Sequence, residues 1–414
     1  MATLNIKPNA LFTADNLYVL NGMNSECIDL IYLDPPFNSK RLYKAPVGSK
    51  AAGAAFEDMW SWKDDDSALM VRLSETHPFL VDYITAIERI HSKAMMAYIA
   101  YMAQRLFEMH RVLKPTGSIY LHCDPTAAHY LKVVMDRVFG AKNFRNEIIW
   151  FYHDTPGRPK KDFARKHDTI LRYTKSGEWR FNADSVRIPI LPASKERYKT
   201  ARTLGGRQYV GGQSASQGKI PESVWQMPAV KRNARESTGY PTQKPLKLLG
   251  RIIQASSNEG DVVLDPFCGC ATTCVAAQHL HRRWIGIDIS ETTGDLIRDR
   301  LKDDVGALFD DFGHFTDLPD RKDVEPMSKR RAKPLLYGDQ AGDCNGCKRH
   351  FEIHDFHVDH IIPSSKGGGD FYANYQLLCG NCNSIKGNRP MEYLVKAIEA
   401  RKAKRAVFGA TPSS

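Results

Sequence analysis

The sequence predicts an α/β protein: a sheet-and-helix fold in two halves, a basic insertion between them, and a small cysteine-stapled module at the C-terminal end. Three observations predict it. Short apolar runs ending in turn residues alternate with helical periodicity over residues 1–152 and again over 241–315. The stretch between them, 153–240, is rich in Arg, Lys, Gly and Pro and only weakly periodic. Two CxxC pairs, Cys344/Cys347 and Cys379/Cys382, stand 31 residues apart near the end of the chain.

Taken in order, residues 28–33 (IDLIYL) read as a buried strand that exits sharply at Asp34-Pro35-Pro36. Residues 93–113 carry apolar side chains at helical spacing and stop at Lys114-Pro115, with Gly117 just beyond. Residues 118–122 and 148–152 read as further strands. The basic stretch holds one expected strand, 169–173, and a surface loop bracketed by Gly205-Gly206 and Gly211-Gly212. From 245 onward a helix (PLKLLGRIIQAS) leads to a strand (DVVLD), a glycine turn (PFCGC), a helix (ATTCVAAQHL) and a strand (RWIGIDI). Residues 316–334 read as a charged linker ending in Lys329-Arg330-Arg331, residues 335–395 as the C-terminal module, and 396–414 as a basic tail.

At 414 residues the chain is long for one domain and comfortable for two or three. With 42% hydrophobic and 25% charged residues it is globular in character. No apolar run approaches the roughly 18 residues of a membrane span, and MATLNIKPNA lacks the features of a signal peptide, so the expected location is the cytoplasm of a prokaryote or its phage. The formal charge of +11 is uneven. Residues 151–245 hold 19 Lys/Arg against 8 Asp/Glu, and residues 321–414 hold 16 against 10. Solubility alone explains many basic proteins, but concentrating the excess in two blocks favours contact with a polyanion. The nine cysteines form no disulfide framework; four have metal-site spacing.

Two motifs carry the chemistry of the larger part. In VVLDPFCGCATT (262–273) a strand ends in Asp265, the chain turns through Gly269, and a helix begins whose N-terminus offers free N–H donors. Asp288 ends the next strand 23 positions on, placed to accept hydrogen bonds from ribose hydroxyls. A lone glycine turn of this kind is more often only a tight Rossmann connection. The second motif, Asp34-Pro35-Pro36-Phe37, offers a carboxylate and a neighbouring carbonyl, the acceptors that hold an amine's hydrogens so that its lone pair faces an incoming group. The prolines stiffen the turn, and an aromatic two residues on can stack on a base swung out of a duplex.

Together the segments IDLIYLDPPFNS (28–39), NEIIWFYH (146–153), GYPTQKPLKLLGRII (239–253), LDPFCGCATT (264–273) and RWIGIDIS (283–290) resemble the permuted class of DNA amino-methyltransferases, over roughly residues 10–315. The resemblance implies a Rossmann-like sheet that binds S-adenosyl-L-methionine and acts on double-stranded DNA. It implies that Asp34 and the Pro35 carbonyl hold the target amine while Phe37 stacks the base. Asp265, Phe267 and Gly269 would line the cofactor pocket, Asp288 would contact ribose, and Thr242, Gln243 and Lys244 would close its amino-acid end. The basic region 153–240 falls where this class carries target recognition. A motif opening with Asp leans to adenine N6 over cytosine N4. One departure is Cys270-Ala271, where the family often has Ser or Gly; both are small, so the turn is expected to survive.

The four C-terminal thiols match a structural tetrahedral zinc site. With them, VDHIIPSSKGGGDFYANYQLLCGNCNSIKG (358–387) resembles the HNH, or ββα-metal, nucleases. That resemblance implies His360 as general base, Asp359 and Asn383 as ligands of Mg²⁺ or a similar ion, and Asn374 as a brace for the loop carrying His360. The expectation is therefore a site-specific DNA methyltransferase with a fused nuclease. The alternatives are an orphan methyltransferase whose module only binds or nicks DNA, and a regulator on an inactive scaffold, against which the intact motifs argue. Recognition sequence and oligomeric state stay open, a homodimer among the options.

Overall fold

The computed structural model describes residues 3–408 apart from 38–40, 47, 53–54, 59, 62–69, 71–72, 74–76, 153–158, 191–201, 205–206, 210–217, 306–311 and 367. The two glycine pairs that bracket the expected loop, 205–206 and 211–212, thus lie outside the described residues, while 207–209 between them form a strand. In chain order the strands are β1 (Ala10–Thr13), β2 (Ile28–Leu33), β3 (Arg41–Lys44), β4 (Ala55–Asp58), β5 (Leu113–Cys123), β6 (Phe144–Phe151), β7 (His167–Thr174) and β8 (Arg202–Leu204). They continue with β9 (Arg207–Tyr209), β10 (Val224–Gln226), β11 (Val262–Asp265), β12 (Arg283–Asp288), β13 (Gly313–Phe315), β14 (Phe356–His360) and β15 (Tyr375–Cys379).

Nine of these form one sheet in the order β10-β6-β7-β5-β2-β11-β12-β1-β13. Every neighbouring pair is parallel except those of β7, which runs antiparallel to both β5 and β6. Helices cover both faces, which is why all six residues of β2 are buried, Asp29 among them paired with Lys114. Alternation along the strand sends Ile31 and Leu33 into one core, with Leu80, Met102 and Leu131 from helices Pro78–Ile90, Lys93–Val112 and Pro125–Met135. Leu30 and Tyr32 face the other core, with Leu248, Val275 and Ile297 from helices Leu246–Ser256, Thr272–His279 and Thr292–Val305. Among the described residues no helix is long and apolar enough to cross a membrane.

Three expected boundaries move. The basic stretch is not separate from the sheet: β7 sits between β5 and β6, and β10 forms an edge, so a division at 152 would cut through the hydrogen-bonded ladder. The expected linker 316–334 runs into helix Lys329–Asp339, whose Ala332 and Leu336 are buried in the core of the C-terminal module. Earlier in the same segment, the Asp320 carbonyl and the Asp323 carboxylate accept hydrogen bonds from Asn5 Nδ2 and Ser25 N. The expected tail from 396 instead continues helix Met391–Phe408.

The module itself is a β14–β15 antiparallel hairpin, paired from Phe356↔Cys379 to His360↔Tyr375, followed by helix Gly380–Lys386. It has its own core, built on Leu377, Leu378, Phe356 and Leu394.

Candidate active sites

Register places the functional turns. β2 pairs with β11 through Leu30↔Val263 and Ile31↔Leu264, β11 with β12 through Asp265↔Gly286, and β1 with β12 through Thr13↔Asp288. The carboxyl ends of these parallel strands therefore lie side by side, the edge of an open α/β sheet where ligands bind. One cavity of about 210 Å³ opens there. It is lined by the turn 34–37, by Thr242, Gln243 and Lys244, and by Asp265, Phe267, Gly269 and Asp288. All the residues singled out for methyl transfer and cofactor binding line this one space, although Asp34 and Asp265 are far apart in the chain.

The acids in the cavity differ in their surroundings. Lys244 donates from Nζ to Asp34 Oδ2; the lysine is 7% exposed and the carboxylate 19%. Asp34 Oδ1 is buried with no hydrogen-bond partner among the described residues. A buried acceptor left open is costly, and a donor from a bound group would satisfy it. Burial pushes the Asp265 carboxyl up to about 7, against the opposing hydrogen bonds that it accepts from Thr273 Oγ1 and Phe267 N. Burial also raises Asp288, whose two oxygens accept from Gly269 N at 2.7 Å and Ser290 N at 2.8 Å. An ionised carboxylate has about four acceptor positions, so Asp288 retains capacity for hydroxyl donors.

The turn carrying Gly269 is tight. Gly269 has φ +49°, a backbone conformation that favours glycine, and a Cβ there would crowd the Tyr240 ring at 3.2 Å. Ala271 holds φ +56° at the start of helix Thr272–His279, a left-handed position that glycine fills more easily. The departure from the family pattern at Ala271 thus falls on a strained residue, and the turn forms nonetheless. Arg300, buried, supports it from behind by donating to the Cys270 carbonyl.

The segment 242–244 has partners that its sequence did not suggest. Lys244 spans the cavity to Asp34 and also bonds the Thr242 carbonyl at 3.3 Å. Gln243 is turned into its own loop: Oε1 accepts from Thr238 N and Oγ1, and Nε2 donates to the Glu236 carbonyl. Sequence reasoning also missed Asp15 and Asn16, which line the cavity after β1. Arg105, 4% exposed, holds both, with Nη2 on the two Asp15 oxygens at 2.8 and 2.9 Å and Nε on Asn16 Oδ1 at 2.6 Å. Asn16 in turn donates to the Pro266 carbonyl at 2.7 Å. The only local trace of this network is an acid after a short apolar run, too common a pattern to single out.

In the C-terminal module the Sγ atoms of Cys344, Cys347, Cys379 and Cys382 all lie within 4.8 Å of one another. A tetrahedral zinc with Zn–S bonds of about 2.3 Å would need sulfurs roughly 3.8 Å apart, so the donor set fits with slight closure. Asp359 and Asn383 line a shared cleft with the basic residues Lys329, Arg330 and Lys333. Asp359 Oδ2 receives Lys386 Nζ at 2.8 Å and Gln376 Nε2 at 3.0 Å. One carboxylate and one amide oxygen are hard donors of the kind that Mg²⁺ takes. His360 does not line that cleft; its Nε2 is 2.7 Å from Asp370 Oδ1 and its ring packs on Tyr375. Asn374, buried, bonds Ile362 N, the Ile362 carbonyl and the Gly369 carbonyl, pinning the loop after His360.

Comparison with known proteins finds two family models on the chain: the N6/N4 methyltransferase model, described as DNA methylase, over residues 28–299, and the HNH endonuclease model over residues 344–389. Similar proteins include the type II methyltransferase M.HpaI of Haemophilus parainfluenzae, 33% identical over 205 residues, which are 49% of this chain and 59% of that protein. The DNA adenine methyltransferase YhdJ of Escherichia coli is 28% identical over 277 residues, 67% of this chain and 76% of that one. Among solved structures, the cytosine-N4-specific PvuII DNA methyltransferase aligns with a TM-score of 0.45 at 16% identity, covering 71% of this chain and 88% of that one.

Proposed function

Because the chain belongs to the N6/N4 DNA methylase family and carries an HNH domain, we propose that it is a site-specific methyltransferase for the adenine N6 amine of double-stranded DNA, with a nuclease fused to it. The observation that carries the first part is the single cavity shared by the 34–37 turn and the 265–269 turn. Asp265, Phe267, Gly269 and Asp288 would hold S-adenosyl-L-methionine, which supplies an activated methyl group. The open Asp34 Oδ1 and the Pro35 carbonyl would hold the amine, and Phe37 would stack the extruded base. Positioning does most of the work in such an in-line displacement. The Asp at the head of the turn and the likeness to YhdJ, which is named for adenine, support adenine over cytosine.

In the second part, Asp359 and Asn383 would hold Mg²⁺ or a similar ion in the basic cleft beside Lys329, Arg330 and Lys333. His360, held by Asp370, would accept the proton of the attacking water. The zinc cluster would be structural. Both activities on one chain suit restriction–modification in a bacterial cytoplasm. The test incubates the full chain with unmethylated DNA, labelled S-adenosylmethionine and Mg²⁺, beside Asp34→Ala and His360→Ala. Asp34→Ala loses label transfer alone and His360→Ala loses cleavage alone. Label on cytosine would overturn the adenine assignment, and undiminished cutting by His360→Ala the nuclease assignment.

A further inference from the structure

Behind the 34–37 turn lies a buried polar chain that the site as described does not use. Tyr32 is on β2 two residues before Asp34, and both line the cavity. Its hydroxyl is 2.8 Å from His122 Nδ1, on β5. His122 is fully buried, and its Nε2 is 3.2 Å from Asp168 Oδ2, on β7. Tyr152, just after β6, donates to the other Asp168 oxygen at 3.2 Å. Rings hold the imidazole in place: Phe37 stacks on it with centroids 6.0 Å apart and planes at 26°, and Trp150 meets it edge-on at 5.6 Å.

The hydrogen bonds assign the protons. Burial works against the charge of Asp168, but its contacts with His122, Lys244 and Tyr152 hold the carboxyl below the usual range, and a carboxylate can only accept. With Nε2 of His122 donating to that carboxylate, Nδ1 is left to accept from the Tyr32 hydroxyl. Burial, reinforced by the Asp34 carboxylate, keeps Tyr32 in its phenol form. A carboxylate, an imidazole and the hydroxyl of a tyrosine that lines the cavity stand in line.

We propose that Tyr32, His122 and Asp168 form a proton relay that removes the proton released when the target amine is methylated. The proposal rests on the methyltransferase reading above and deepens it. The methylated nitrogen is first a cation with one proton in excess. Its N–H bond breaks as the proton goes to the Tyr32 oxygen, while the hydroxyl's own proton goes to His122 Nδ1. The amine becomes neutral, Tyr32 remains a phenol, and the positive charge rests on an imidazolium beside Asp168. Asp34, already engaged by Lys244, is left free to go on accepting from the amine. The charged and titratable groups around His122 are Tyr32 from β2, Asp168 from β7 and Tyr152 after β6, with Lys244, Asp34 and Asp124 beyond them. The same chain ties Phe37 to the sheet, since the ring that Phe37 stacks on is the ring that the relay fixes.

Tyr32→Phe keeps the ring and its packing and removes only the relay's first atom. In single-turnover label transfer it is expected to lose on the order of 10²-fold, the usual contribution of one proton-transfer group. Affinities for S-adenosylmethionine and DNA are expected to stay within twofold of the parent's. A solvent deuterium isotope effect seen in the parent disappears in Tyr32→Phe. In the cofactor-free protein, ¹⁵N shifts of His122 show the Nε2–H tautomer, with Nδ1 moving on loss of the tyrosine hydroxyl. A parent-like rate with the same isotope effect in Tyr32→Phe overturns the relay alone, as does a His122 ring protonated at Nδ1. A parent chain that binds the cofactor and methylates no DNA overturns the methyltransferase reading and the relay with it.

Discussion

Replacing Lys244 with methionine would isolate what the buried Asp34–Lys244 pair contributes. The two groups are bonded directly, the lysine is almost fully enclosed, and the second oxygen of Asp34 has no partner among the described residues. Methionine fills similar space without the charge. Removing one partner of a buried pair costs about 3–5 kcal/mol, because the remaining charge is uncompensated. A carboxyl can escape that cost by taking a proton, which at pH 7 requires about 4 kcal/mol for an ordinary carboxylate. The two costs are comparable, and by either route the variant offers the amine a poorer acceptor. Lost acceptor strength of about 3–4 kcal/mol corresponds to roughly 10²–10³-fold in the methyl-transfer step. Single-turnover label transfer between pH 6 and 9 measures it. Lys244→Met is expected to be slower than the parent by that factor. Were the variant to match the parent in rate and profile, the pair would be an incidental contact and Asp34 would not be the acceptor.

Two further outcomes follow from the two sites. Burial raises the Asp265 carboxyl to about 7, so its contribution to stability is present below the unfolded value near 3.9 and is lost as pH rises through about 7. A cationic cofactor prefers the ionised form. Affinity for S-adenosylmethionine should therefore weaken about tenfold from pH 8 to pH 6, and calorimetric titration of Asp265→Asn should give a flat profile; equal slopes in both proteins would refute this. The C-terminal module has a small core, so zinc held by its four cysteines would be coupled to its folding. Chelation, or Cys382→Ser, should abolish one thermal transition and one bound zinc while cofactor binding persists; two intact transitions in the zinc-free chain would refute a structural metal.

Much of this molecule is legible locally. The run IDLIYL followed by Asp-Pro-Pro, the turn through Gly269 and the acid at Asp288 each announce themselves within a dozen residues, because strand exits and helix starts are decided by neighbours in sequence. The CxxC spacing is equally local: each pair presents two thiols to one ion. The basic stretch misled for the same reason. Its composition suggested an insertion, yet β7 is a sheet strand whose reversed direction depends on β5 and β6.

The sequence alone thus determined the kinds of element, their order, and the residue types that carry chemistry. Only the tertiary structure decided which of them meet. Lys244 on Asp34, Arg105 on Asp15 and His122 between Tyr32 and Asp168 join residues that are 210, 90, 90 and 46 positions apart. No pattern of neighbouring residues encodes such pairs, because strand register and helix packing between segments far apart in the chain set them; a slip of one residue in β2, β5 or β7 would turn Tyr32, His122 or Asp168 to the opposite face.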